Sequence, residues 1–243
     1  MASTSVNYRY FCITAWYRGG IFFIAMKLKK TCRSIKIVEK YNADYIAGGS
    51  VQNSLRVCQW ILQKPNTAIF FGCIGQDKYG EILDERARSN GVDVHYQRTN
   101  EAPTGTCGVL ITGTHRSLCA NLAAANHFTI DHLLTPDKQK LIDNAEFFYI
   151  SNADRTRIVV LTQGHLPVLL IQEHTIEEFP VERLEPDEIV DTNGAGDAFV
   201  GGFLAQYIQK KSLGVCIHSG IWAARQIIKR SGCTFEGTPD FNE

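Results

Sequence analysis

No two cysteines in these 243 residues stand at Cys-x-x-Cys spacing, and the seven histidines form no His-Glu-x-x-His. The eight cysteines, at 12, 32, 58, 73, 107, 119, 216 and 233, therefore suggest neither a zinc site nor a disulfide framework. No Asn-x-Ser/Thr acceptor occurs. The reduced cytoplasm is the expected compartment, with the nucleus as a second address. Neither charge is in surplus, with 25 basic against 25 acidic residues and a pI near 7.0. That excludes a nucleic-acid binder held by a broad basic surface. No apolar run is long enough to span a bilayer, so no membrane partner is expected. A Gly-x-x-x-x-Gly-Lys-Ser/Thr loop is missing, and there is no internal repeat.

What is there begins unevenly. Residues 1–38 carry seven Lys or Arg and no acid, with apolar runs 11-FCITAWY-17 and 21-IFFIAM-26 around Arg18-Gly19-Gly20. Their β-branched and aromatic content suits a hairpin better than an amphipathic helix, in an N-terminal extension that stands apart from residues 39–243. After Glu39, helix and strand patterns alternate. A short extended piece at 44–47 and Gly48-Gly49-Ser50 lead into a helical stretch, 51-VQNSLRVCQWIL-62. A buried-strand run, 68-AIFFGCIG-75, is followed by a polar-faced helix, 79-YGEILDERARSN-90, and a strand, 92-VDVHY-96. This rhythm implies an α/β fold with a mostly parallel sheet covered by helices.

Residues 104–124 break the rhythm. Two apolar segments, 106-TCGVLI-111 and 117-SLCANLA-123, flank a Thr-Gly-Thr-His-Arg turn, which predicts a β-hairpin acting as a small lid. Thr135 and Pro136 mark a helix start, with Thr135 as its cap. Strands are expected at 146–151, 158–164 and 168–172, and helices near 195–209 and 212–230.

The most informative stretch is 191-DTNGAGDAFVGGFLAQYI-208. A dinucleotide loop is excluded, because Phe199 stands where a third glycine is required and the site lies near the C-terminus. A phosphoryl-transfer cradle fits better. Gly194 and Gly196 leave their amides free to converge on an anion at a helix start. An aspartate at the rim of an anion pocket repels its guest unless it is there to deprotonate an alcohol. The competing reading is a helix N-terminus whose glycines serve packing and whose Asp197 complements the helix dipole.

The longer run 191-DTNGAGDAF-199 decides between them. With 48-GGSVQNS-54, 70-FFGCIGQDKYGEIL-83, 103-PTGTC-107 and 116-RSLCANLAAAN-126, it resembles the ribokinase-like carbohydrate and nucleoside kinases, above all those that phosphorylate adenosine. The resemblance implies a three-layer sandwich with a small β lid, formed by segments near 39–47 and 104–124. It implies transfer from ATP to the adenosine 5′-hydroxyl, giving AMP for purine salvage, with Mg²⁺ as cofactor and a monomeric enzyme. It also implies Asp197 as catalytic base and Gly194, Ala195 and Gly196 as anion hole. Gly48, Gly49, Ser50, Asn53 and Asn193 would bind the sugar, and Leu118 and Ala120 would close over the nucleoside. Arg116, Thr162, Gln163 and Gly164 would face the ATP phosphates. No metal ligand is identified.

Two departures stand against full activity. The family's opening strand, with its Asn-Pro-x-x-Asp acid, has no match in residues 1–38. Only 152–157 separates the strands at 146–151 and 158–164, where the family carries several strand–helix units and an Asn-x-x-Glu motif. Six residues are too few for a parallel crossover, which needs roughly a dozen. The sheet is therefore expected to be incomplete in its centre, with residues deleted between 151 and 155. A shortened, non-catalytic product and a kinase of the same family acting on another sugar or nucleoside remain alternatives.

Overall fold

The computed structural model describes residues 10–13, 46–112, 115–145, 147–149, 158–172 and 175–242. Four parallel strands form the main sheet in the order β3-β2-β1-β6: β1 (Tyr10–Ile13), β2 (Ala68–Gly75), β3 (Asp93–Thr99) and β6 (Phe147–Tyr149). Every residue of β2 is buried, as its continuous apolar run requires of a central parallel strand. The apolar piece at 10–13, expected in a hairpin, instead enters this sheet as a parallel strand, with Phe11 opposite Ile69 on one side and Phe148 on the other. Residues 14–45, with the second apolar run and most of the first lid segment, lie outside the described residues.

Helix α1 (Ser50–Leu62) is buried from Val51 to Trp60 because it is covered on two sides. Val51 and Leu55 pack with Phe70 and Val94 of the sheet, while Val57 meets Ala198 of α4 (Ala195–Tyr207) and Ala223 of α5 (Leu213–Ile228). Close approach is possible because Gly201 of α4 has no side chain: a Cβ there would come within 2.5 Å of the Ser54 carbonyl oxygen. The opposite face of the sheet is covered by α3 (Pro136–Asp143) and the turns before it, where Ile69 and Phe71 meet Phe128, Leu133, Leu141 and Ile142. Helix α2 (Lys78–Ser89) follows β2 and is capped by Asp77, which accepts from the Tyr79 and Gly80 amides at 3.1 and 2.9 Å. Thr135 takes the expected N-cap position of α3, with Pro136 next, but its side chain makes no capping bond; the hydroxyl turns back toward the His132 carbonyl at 3.4 Å.

Three further strands form a separate antiparallel sheet: β7 (Ile158–Gln163), β8 (Leu166–Gln172) and β9 (Thr175–Phe179). Its inner face packs Val168, Leu170 and Phe179 against Phe199, Ile217 and Ile221. The outer face leaves Val159, Leu161 and Ile176 exposed. No ladder joins β6 to β7 among the described residues. The helical layer of α1, α4 and α5 is what connects the two sheets. The expected hairpin is present as β4 (Thr106–Thr112) and β5 (His115–Asn121), paired antiparallel.

Candidate functional site

The glycine-rich run forms the loop and first turn of α4. Asp191, buried, sets the loop: one carboxylate oxygen accepts the Asn193 amide at 2.6 Å and the other the Gly232 amide at 2.9 Å. This local turn chemistry ties the loop to the chain's C-terminal turn. Gly194 sits in the left-handed region at φ +82, and a Cβ there would also meet Cys233 at 2.9 Å. The first-turn amides of Gly196 and Asp197 have no carbonyl within the helix to receive them. At Gly196 a Cβ would meet nothing within 4 Å, so packing does not demand glycine there. Gly196 is exposed, as an anion-binding position at a helix start requires.

Asp197 faces the Gly-Gly loop across the α1–α4 contact. Its Oδ1 accepts from Ser50 Oγ at 2.6 Å and its Oδ2 from Asn53 Nδ2 at 2.9 Å. Burial pushes its carboxyl above the usual aspartate range, and the bonds from Ser50 and Asn53 only partly oppose this. A carboxylate with raised proton affinity, held at a helix N-terminus, has the properties of a general base beside an anion pocket. Gly49, at φ +108, starts α1 and aims Ser50 at the carboxylate; Gly48 and Gly49 are both exposed. Asn193 enters through its backbone amide.

Leu118, Ala120 and Arg116 occupy alternate positions of β5, opposite Val109, Cys107 and Ile111. The hairpin is anchored at its base: Thr104, buried, donates its amide to Asp77 at 2.7 Å, and its hydroxyl receives the Gly75 amide at 3.0 Å. Asp77 thus joins the hairpin's base to the start of α2. Thr162, Gln163 and Gly164 form the end of β7 and its turn, where Gln163 Nε2 donates to Pro167 O at 2.9 Å and Gly164 takes φ +65. Among the described residues no hydrogen bond joins this turn to the Asp197 group.

Three residues at the site carry no expectation from the sequence. Arg56, on the same face of α1 as Asn53, contacts the Asn53 amide oxygen at 3.3 Å; its Asn-x-x-Arg spacing is the one available signal. Asp191 belongs to the recognised motif but had no assigned role. Cys233 lies against Gly194, and burial pushes its thiol up to about 11.

Residues 24–154 and 151–240 match the pfkB family carbohydrate kinases. The match begins ahead of Glu39, and its two parts meet at 151–154. The chain is 34% identical to adenosine kinase 2 of Arabidopsis thaliana, with 84% of each covered. That alignment extends over 289 positions, more than the 243 residues of this chain. Among solved structures, adenosine kinase of Anopheles gambiae in complex with P1,P4-di(adenosine-5) tetraphosphate is 46% identical, with a TM-score of 0.81 over 85% of this chain and 86% of that one. Adenosine kinase of Schistosoma mansoni in complex with 2-fluoroadenosine is 25% identical, with a TM-score of 0.79 over 84% and 86%. The architecture is accordingly that of the ribokinase-like α/β kinases, with one antiparallel sheet standing apart. Matches spanning nearly all of residues 24–240, together with relatives above 30% identity over most of the chain, make it a member of the pfkB family of carbohydrate kinases.

Proposed function

We propose that this chain is a phosphotransferase that moves the terminal phosphoryl group of ATP to the 5′-hydroxyl of adenosine, giving ADP and AMP. The carrying observation is the Asp197 carboxylate, held by Ser50 and Asn53 at the N-terminus of α4. In this reading Asp197 takes the proton of the 5′-hydroxyl as that oxygen attacks phosphorus. The Gly194 and Gly196 amides receive the phosphoryl oxygens, where fixed dipoles offset the growing charge. Ser50 and Asn53, already beside the base, are within reach of the sugar hydroxyls. The lid strands, with Leu118 and Ala120, close over the nucleoside and exclude water, and Arg116 faces the transferred phosphate. Thr162, Gln163 and Gly164 receive the nucleotide phosphates.

Among the described residues no group of three or more His, Cys, Asp or Glu is placed to hold a metal. Magnesium would come with the ATP phosphates, whose charge it would neutralise. The same reading places the chain as a monomeric enzyme of purine salvage in the reduced cytoplasm.

The test is Asp197→Asn in the 243-residue chain, assayed for AMP formation. Loss of a general base lowers kcat by about 10²–10⁴-fold while adenosine binding persists. Turnover equal to that of the parent would remove Asp197 from the role.

A second reading is that this shortened chain binds nucleoside but turns it over poorly. The lack of a ladder between β6 and β7 among the described residues, and an alignment longer than the chain, favour it. Positioning depends on a rigid sheet, and a chain lacking its central strands holds the phosphate turn of β7 less firmly. Turnover of about one per second, the low end for kinases, would exclude this reading.

A further inference from the structure

We infer that Arg56 is a positioning residue for the proposed base, acting through Asn53. The inference rests on the reading of Asp197 given above. Arg56 is only 6% exposed, and no carboxylate lies within ion-pair distance of it among the described residues. Its Nε donates to Asn90 Oδ1 at 2.6 Å, and Nη1 is shared between Ala47 O at 3.2 Å and Asn53 Oδ1 at 3.3 Å. The guanidinium also lies over the Phe235 ring, 5.6 Å from its centroid. A buried cation without a counter-ion is costly, and burial lowers its proton affinity. A purely structural helix position would be served better by an apolar side chain.

The geometry gives the cation a task. Asn53 presents its amide oxygen to the guanidinium and its amide nitrogen to the Asp197 carboxylate. Turning that amide over would set donor against donor on one side and oxygen against oxygen on the other. Arg56 therefore fixes which end of Asn53 reaches the base. Through Ala47 it also anchors the chain immediately before Gly48 and Gly49. Among the described residues, Cys233 is the other titratable group that feels the Asp197 charge, and burial pushes its thiol up to about 11.

The test follows the Asp197 carboxyl resonance in the full chain labelled with ¹³C-aspartate. The resonance is assigned by its loss in Asp197→Asn and titrated in the parent, Arg56→Met, Asn53→Ala and the double variant. Arg56→Met is expected to raise the midpoint by about half a unit or more, and Asn53→Ala by a similar amount. In the Asn53→Ala background, Arg56→Met should add nothing, because the relay is already cut. Arg56→Lys keeps the charge but loses the planar fork, and it should shift the midpoint as Met does. It is the variant read if Met does not fold. An unmoved midpoint would overturn the relay. So would an equal shift with Asn53 already removed, which would mean that Arg56 acts only through its field. Because the titration is independent of turnover, it separates failure of the relay from failure of Asp197 as base, which the Asp197→Asn assay reads.

Discussion

Substituting Gly201 with alanine places a methyl group in the contact between α1 and α4, and its effects follow from measured distances. The new Cβ would stand 2.5 Å from the Ser54 carbonyl oxygen and 2.7 Å from Val57 Cβ, where ordinary contact begins near 3.4 Å. The Ser54 carbonyl belongs to the backbone of the buried part of α1 and cannot turn aside, so the helices must part by close to 1 Å. Overpacking of this kind costs about 1–3 kcal/mol, against about 1 kcal/mol gained from replacing glycine inside a helix. The net loss is about 0–2 kcal/mol, which lowers Tm by up to about 8 °C for a chain of this size. The same parting lengthens the Ser50–Asp197 and Asn53–Asp197 bonds, now 2.6 and 2.9 Å. An added ångström takes both past useful hydrogen-bond range, and misplacement by that amount costs about 100-fold in turnover. Thermal unfolding and AMP formation would be measured on Gly201→Ala beside Gly196→Ala, whose Cβ meets nothing and whose melting should match the parent. A Gly201→Ala chain that melts and turns over like the parent would refute the claim that this contact holds the site together.

Three other expectations can be checked directly. Hydrogen exchange across β4 and β5 should slow when adenosine is added; unchanged protection at saturating, independently confirmed binding would count against a lid. Asp77 is subject to burial, which alone raises its carboxyl, but the amides of Thr104, Gly80 and Tyr79 outweigh it and hold the group below 3.8. Its stabilising contribution is therefore present above that value and lost as pH falls through the lowered one. The melting gap between parent and Asp77→Asn should accordingly close on acidification, and a gap constant with pH would contradict the assignment. Finally, the 243-residue chain should form AMP more slowly than about one turnover per second; a faster rate would show that an incomplete sheet suffices.

Much of this arrangement is legible in the sequence where signals are local. The apolar run of β2, the hairpin flanking 112–115 and the helices after Gly194 and Ser212 all declare themselves through period and turn residues. Strand β9, Thr-Ile-Glu-Glu-Phe, does not, because only Phe179 of its five side chains is buried and its pattern reads as solvent-facing. The role of Tyr10–Ile13 depends on two partners more than 50 residues away. Arg56 is equally silent in sequence, since an arginine on a helix is ordinarily exposed. Its burial comes from the C-terminal turn that carries Phe235, which no local rule connects to it.

The hydrogen bonds that define the site join Asp197 to Ser50 and Asn53 across 147 and 144 residues of chain. No short local segment can contain them, so the proposed nucleoside site exists only once α1 has docked on α4. A ligand of that site recognises the finished chain and has nothing to grip in the unfolded one. Adenosine at 100 times its dissociation constant would then shift the folding balance by about 2.7 kcal/mol. In a cell, the abundance of such a chain would follow the supply of its own substrate.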